Sequence, residues 1–339
     1  MRWLDYLIRR LLMAILVLIS VSIITFFIAR VIPSDPAAAW VGPRPTQDQI
    51  NKARVQLGLD SPLWIQYWRY ATSFLKGDFG TSVRTHQPIL NDLKVYLPAT
   101  MELVLASMII AIVVGIPLGV LSGAYKGSLL DHSTRLISIA GVSMPTFWLG
   151  LILQLFFFAK LGILPIGGRI SNEVALFSPI HVITGFYFFD SLIAGNWLAF
   201  KDTLLHLILP SFVLAAYATG LVIRMTRSTM VEVLNENYIL AARVAGISEK
   251  KVLFVLALKN ALTPTITVLG LCFVYSLTGA ILVEVIFSWP GLGTYVTNAV
   301  MSIDFPVIVT VTLVVTVFYV LINLFMDLLQ ATIDPRIRL

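Results

Sequence analysis

Apolar runs alternate with short polar connections along the 339-residue chain, and six of the runs are long enough to cross a bilayer. About 20 mostly apolar residues, rising roughly 1.5 Å each, span a hydrocarbon core in which no backbone group can be left unpaired. The pattern places such helices at 7–32, 102–124, 136–159, 204–224, 262–287 and 306–329. The first run carries no charge over nineteen residues, 11–29. That exceeds the apolar core of a signal peptide, so it reads as a retained span although Arg9 and Arg10 precede it and Ala37, Ala38 and Ala39 follow. The arginine pair is not expected to be a twin-arginine signal, because no folded cofactor domain follows.

The connections have patterns of their own. Within 33–97, Ser61 and Pro62 predict a helix start and Lys76-Gly77 a stop. Trp64, Tyr67, Trp68, Ala71 and Leu75 then share one side of that helix. Such a stripe fits either a helix at the membrane-water boundary or the buried face of a small extracytoplasmic subdomain. "GDFGTS", from Gly77, predicts a tight turn. The connection at 160–203 is also long, with Gly167-Gly168 and an aromatic run at 186–189.

Inside the runs, Gly115, Gly119 and Gly123 recur every four residues, which lets helices approach closely and predicts intramolecular packing. Pro117 among them predicts a kink. "SMPTFWLG", from Ser143, places Pro145 where it interrupts the hydrogen-bond ladder, and a broken helix of this kind can line a pathway.

Composition narrows the class. The chain is 58% hydrophobic and 12% charged, with a mean hydropathy of +0.89 and a net charge of +6. This is a polytopic membrane protein, and its charge excess is a matter of topology before anything else. Nucleic-acid binders cluster Lys and Arg on a polar face, whereas here they occupy short connections, so no nucleic-acid partner is expected. With the N-terminus inside, Arg2, Arg9, Arg10, Arg224, Arg227, Lys250, Arg336 and Arg338 fall on the cytoplasmic side, and the opposite connection at 288–305 has no basic residue. The seven basic residues of 33–97 do not oppose this, because segments of that length translocate largely regardless of charge. Both termini are then cytoplasmic. Cys272 lies alone in an apolar run and reads as a packing residue.

Covalent chemistry is not legible. None of the lysines follows a glycine, as a phosphate-binding loop requires, and the four histidines lack H-E-x-x-H spacing. No G-x-S-x-G elbow occurs. Glu102, Glu284 and Asp327 lie toward run ends, where they read as interfacial or helix-helix hydrogen bonders, and Gln154 and Asn323 read as interhelical hydrogen bonders. An autonomous secondary transporter would need its own ion-coupling residues, and an intramembrane enzyme a nucleophile-base pair or metal ligands. Neither set is visible. Nothing in the sequence predicts a catalytic, metal or cofactor-binding residue.

The segment 237–264 differs from its apolar neighbours. Residues 230–245 are good helix formers, Ala241 and Ala242 present small side chains, and Gly246 ends the run. Ser248 is then expected to cap a second helix with Glu249 in its first turn. This helix-Gly-helix elbow, with Arg243, Lys250 and Lys251 available for acidic groups, fits a protein-docking site or an amphipathic linker on anionic lipid equally well.

Resemblance separates them. The A-A-x-x-x-G arrangement at Ala241, Ala242 and Gly246 resembles the cytoplasmic loop of binding-protein-dependent ABC importer permeases. "LPATMEL" from Leu97, "FWLGLIL" from Phe147, "HLILPS" from His206, "RMTRSTMVEVLNENYILAARVAG" from Arg224, "LKNALTP" from Leu258, "FSWPGLG" from Phe287 and "DPRIR" from Asp334 extend the likeness along nearly the whole chain. Together with "GDFGTS" they resemble the B-type inner-membrane permease subunit of the dipeptide/oligopeptide/nickel family. The signature's leading acid is replaced by Leu240, so an ionic contact there does not carry over.

The resemblance implies an all-α, six-span type I importer fold in a prokaryotic cytoplasmic (inner) membrane. It further implies a second homologous permease, two ABC ATPase subunits that use ATP and Mg, and an extracytoplasmic substrate-binding protein. Domains are expected at 1–32, 33–97 and 98–339, with a coupling loop at 225–261. Ala241, Ala242, Arg243, Gly246, Ser248 and Lys250 are the expected ATPase-coupling residues, and Pro145, Phe147, Trp148, Gln154 and Glu284 the pathway or gating candidates. Peptide is the implied cargo, with oligosaccharide or nickel as the alternative within the family.

Overall fold

The computed structural model describes residues 3–31, 36–42, 44–56 and 58–333. Arg2, Ile32, Arg336, Arg338 and the "DPRIR" stretch lie outside them. The described chain is helical almost throughout: α1 (Trp3–Val31), α2 (Pro36–Val41), α3 (Gln47–Gln56), α4 (Leu63–Leu75), α5 (Ile89–Ala124), α6 (Leu129–Ser143) and α7 (Thr146–Leu153) come first. A wider π-helical stretch, Gln154–Lys160, continues α7. Then follow α8 (Asn172–Phe177), α9 (Tyr187–Ile193), α10 (Trp197–Val233), α11 (Asn237–Val244), α12 (Glu249–Lys251), a second π stretch at Val252–Ala257, α13 (Leu258–Ile286), α14 (Leu292–Met301) and α15 (Phe305–Ile333).

Among the described residues, five helices are long and apolar enough to cross a membrane: Ile8–Ile28, Ile89–Ala124, Trp197–Val233, Glu249–Ile286 and Phe305–Leu329. The expected span at 136–159 is not one rod. Leu129–Ser143 and Thr146–Lys160 meet at a bend of 109°, because Pro145 has extended backbone (φ −60, ψ 128) and opens the next helix instead of continuing the last. Pro117, by contrast, sits inside α5 without ending it.

Two compact units divide the chain, one of Met1–Leu97 with Thr294–Leu321 and the other of Pro98–Gly293 with Ile322–Leu339. In the first, α4 packs on α1. The Tyr67 hydroxyl lies 2.8 Å from Ser22 Oγ, and Phe26 meets the rings of Tyr67 and Tyr70 at 5.4 and 5.8 Å. The expected stripe on α4 is therefore divided, with Tyr67 turned toward α1 while Trp64 and Trp68 stay 72% and 68% exposed. Ser61 does not cap this helix. Its N-cap is Pro62, and no side chain bonds the first turn. The stop is at Gly77 (φ +80), and Asp78 Oδ1 accepts from the amide of Gly80 (φ +77), closing the tight turn. Asp304 fixes the segment beyond, accepting from Ser82 Oγ at 2.5 Å and the Arg84 amide at 3.1 Å. Tyr295 stacks on Tyr96 and donates to Asp92, and burial, followed by that carboxylate, holds its phenol proton to well above the ordinary pKa.

The second unit is built on α10. A Cβ at Gly115, Gly119 or Gly123 of α5 would lie 2.9, 2.6 or 2.7 Å from Val222, Thr226 or Met230. The three glycines thus bring α5 onto α10 within the chain, as their spacing predicts. On another side, Gly220 lets α6 approach α10, and Ser138 Oγ donates to the Gly220 carbonyl at 2.6 Å. In the 161–196 connection, Asp190 accepts from the amides of Ile183, Thr184 and Gly185 and from Thr184 Oγ1. Burial pushes its pKa up, but these donors outweigh it and hold the carboxyl below its ordinary value.

Candidate functional site

The elbow is built from a helix that stops, turns and restarts. α10 ends at Val233, and backbone bonds from Asn235 to Glu232 and from Glu236 to Val233 make a tight turn before α11. The helix-forming run expected over 230–245 is therefore two helices. α11 ends in a paired cap, with the Gly246 amide on the Arg243 carbonyl (3.0 Å) and the Ile247 amide on the Ala242 carbonyl (3.1 Å). This is a Schellman arrangement, which places the glycine in the left-handed region. Gly246 has φ +76, and no atom lies within 4 Å of where its Cβ would be. It is needed for conformation and not for space.

Ser248 occupies the next N-cap position but makes no side-chain cap bond. The second helix is not separate, because α12 runs through the π stretch into α13. Arg243 bridges the turn instead, with Nε and Nη2 on the two carboxylate oxygens of Glu249 at 3.1 and 2.7 Å. Expected to face a partner's acids, this guanidinium is engaged inside the elbow. Both groups are about half exposed, so the pair is worth roughly 0.2–1 kcal/mol and acts by setting the angle. Asn260 Nδ2 also donates to Tyr238 Oη at 2.6 Å, tying α13 to α11.

Beneath the elbow, Ile239 and Ala242 are buried with Val120, Met230, Val252, Leu253, Ala257 and Ala261. Ala242 is small because it packs inward. Of the expected coupling residues only Ala241, Arg243, Gly246, Ser248 and Lys250 reach the surface. Two that sequence reasoning did not select are more prominent: Leu240 is 62% and Val244 83% exposed, four apart on the outer face of α11 with Ala241 between them. Their i,i+4 apolar spacing opposite Ile239 and Ala242 was the available signal.

The pathway candidates differ in exposure. Phe147 and Trp148 are about half exposed, and Pro145 is exposed at the bend. Glu284 and Gln154 are buried and hydrogen-bonded within the chain. Thr100 Oγ1 donates to Glu284 Oε1 at 2.5 Å and accepts from the Leu292 amide at 2.7 Å. A Cβ on Gly291 would fall 2.2 Å from Glu284 Oε1, so the glycines of "FSWPGLG" let the chain fold directly over this carboxylate. Trp289 is buried beside it, with Nε1 on the Ala99 carbonyl. Gln154 Nε2 donates to the carbonyls of Ile166 (2.7 Å) and Ile286 (3.2 Å), and the Gly168 amide donates to the Phe287 carbonyl (2.7 Å). The 166–168 turn is thereby fastened to the end of α13.

Glu102 likewise has a partner that no spacing announces. Arg169, from the long connection, pairs with it while buried, donates to the Gly185 carbonyl at 2.8 Å and lies 3.8 Å over the Tyr187 ring. The Phe188 amide occupies the other carboxylate oxygen at 2.8 Å.

Comparisons place this arrangement. The family described as "Binding-protein-dependent transport system inner membrane component" matches residues 115–339, and its N-terminal companion matches 3–104. The probable D,D-dipeptide transport system permease protein DdpB of Escherichia coli K12 is 45% identical, covering 95% of this chain and 94% of its own. The dipeptide transport system permease protein DppB of Alkalihalophilus pseudofirmus is 43% identical over 99% of both. The oligopeptide transport system permease protein AppB of Bacillus subtilis is 37% identical over 98% of both. An inward-facing structure of the MetNI methionine ABC transporter superposes with a TM-score of 0.52 at 15% identity, covering 71% of this chain and 96% of that one. That likeness concerns the fold, an importer permease bundle. With family models covering nearly the whole chain and relatives above 30% identity throughout, the chain is a permease subunit and belongs to the binding-protein-dependent transport system inner membrane component family.

Proposed function

We propose that this permease forms half of a translocation pathway for peptides handed over by an extracytoplasmic substrate-binding protein. A second, homologous permease forms the other half, and two ABC ATPases hydrolyse Mg-ATP. The relatives' dipeptide and oligopeptide transport supports peptide as cargo. The basic residues support a cytoplasmic elbow within 225–261, both termini cytoplasmic, a first span in 1–32, an extracytoplasmic segment at 33–97 and the five-helix permease domain in 98–339. ATPase closure then draws the elbow inward and tilts the spans joined to it.

The observation that carries this reading is the outer face of α11. Exposed apolar side chains at Leu240, Ala241 and Val244 stand on a short helix whose other face is locked into a core. A patch of that kind on a rigid support suits a groove in a partner protein. Cysteines at Leu240 and Val244 should cross-link to an ATPase subunit in the assembled transporter, and Val244→Asp should abolish ATP-driven uptake while the subunits still assemble. Full uptake by Val244→Asp would overturn the docking role. Mass spectrometry of the ligand retained by the binding protein tests the cargo, and an oligosaccharide or nickel there would replace peptide.

A further inference from the structure

The first unit holds a partly open cavity of about 360 Å³, in the size range of small-molecule sites. Its walls are aromatic, with Phe26 of α1, Trp40 of α2, Tyr70 of α4, then Phe79 and Phe305.

Two polar groups on this wall lack partners. Gln66 is 8% exposed, and its Nε2 donates to the carbonyls of Leu59 and Ser61 at 2.9 and 2.7 Å. Its Oε1, and the hydroxyl of Tyr70, have no hydrogen bond among the described residues. Native proteins rarely leave such atoms unsatisfied, so the cavity is short of a donor for Gln66 and of an acceptor for Tyr70. Arg69 and Asp78 also line it, both exposed and of opposite charge. Neither forms an ion pair among the described residues. Arg69 reaches only Ser61 Oγ, at 3.5 Å, and Asp78 accepts from the Gly80 amide.

The level of the site follows from α4 itself. Trp64 and Trp68 are exposed on the helix that carries Gln66 and Arg69, and exposed tryptophans of membrane proteins gather at headgroup depth. A ligand there needs an anionic group for Arg69, N–H donors for Asp78 and Gln66, and an apolar body for the aromatic walls.

We propose that this cavity holds a phospholipid with a primary ammonium headgroup. The phosphate faces Arg69, the ammonium donates to Asp78 and to Gln66 Oε1, the Tyr70 hydroxyl donates to a glycerol-ester carbonyl, and the first acyl methylenes lie between Phe26 and Phe305. The inference rests on the chain lying in a membrane and not on its cargo. A quaternary ammonium headgroup carries no N–H and cannot satisfy Gln66, which makes the discrimination sharp.

The test uses the assembled transporter, delipidated in detergent and offered equimolar phosphatidylethanolamine, phosphatidylcholine and phosphatidylglycerol, with bound lipid counted by native mass spectrometry. One phosphatidylethanolamine per copy of this chain should be retained, in preference of about tenfold over phosphatidylcholine, the scale expected of hydrogen bonds to a charged group. Ser73→Phe, which fills the cavity, should remove that lipid, and Gln66→Leu should remove the preference. Arg69→Gln, at an exposed position where folding is not at stake, should weaken retention. Equal retention of the three lipids by the unmodified transporter would overturn the proposal. So would retention by Arg69→Gln indistinguishable from it, or displacement of the lipid by a free zwitterionic dipeptide.

Discussion

Asp131 accepts two hydrogen bonds from Arg227, from Nε at 2.6 Å and Nη2 at 2.9 Å, across 96 positions of sequence. Ser122 Oγ and the Gly127 amide complete the carboxylate's shell at 2.7 and 3.0 Å. The ends of α5, α6 and α10 are thus joined through one carboxylate, whose partner Arg227 lies shortly before the elbow in sequence. Its side chain is 1% exposed and that of Arg227 22%. Removing one member strands a charge in a poorly solvated place, which costs about 3 kcal/mol or more. Asp131→Ala should therefore lower the unfolding midpoint of the detergent-purified protein markedly, and adding Arg227→Met should recover much of the loss. An unchanged midpoint in Asp131→Ala would show that the pair holds nothing together.

Gly246 should be sensitive to backbone demand rather than to size. Its φ of +76 penalises any ordinary L residue by about 1–2 kcal/mol, whereas asparagine tolerates the left-handed region better. Gly246→Val is expected to uncouple uptake from ATP hydrolysis with assembly intact, and Gly246→Asn to retain most coupling. If the two variants behave alike, conformation is not what the position supplies.

Gly291 presents the opposite case, in which space decides. Even one methyl would overlap Glu284 Oε1 and, at 2.5 Å, Thr100 Oγ1. Gly291→Ala should cost about 1–3 kcal/mol, in line with overpacking, and release the Leu292 amide from Thr100. Hydrogen exchange at Leu292 reads the release directly, and a wild-type exchange rate there would refute the packing argument.

The Asp190 turn should depend on acid. Because its donors hold the carboxyl below the ordinary value, the stabilisation is complete above the usual carboxylate range and is lost as pH falls through the lowered value. Exchange protection at 183–190 should persist at pH values where an ordinary aspartate is already protonated, and Asp190→Asn should lose it at every pH. Protection that fades within the ordinary range would contradict the assigned donors.

Spans and the elbow were legible because each rests on local signals. Run length marks the spans, the Gly115, Gly119 and Gly123 spacing marks the α5 approach to α10, and Gly246 marks a helix end. What stayed hidden depends on chain returning from afar. Glu102 meets Arg169 and Thr100 meets Glu284 only after the intervening helices have packed, and no periodicity encodes those meetings. Pro145 announced a break, but nothing in its local sequence specifies the 109° at which the two helices meet. Ala242 was assigned outward by motif and lies inward, because a motif names residues without naming the face each occupies.

Between Gly115 and Gly123, α5 and α10 touch backbone against side-chain root for about 12 Å of their length, at 1.5 Å per residue. At each of the three glycines the facing contact is the root of a side chain, Val222, Thr226 or Met230, so little at those points can yield when one rod is pushed. Along that stretch the two helices should therefore move as one stiff oar, with the turn before Asn237 at its handle.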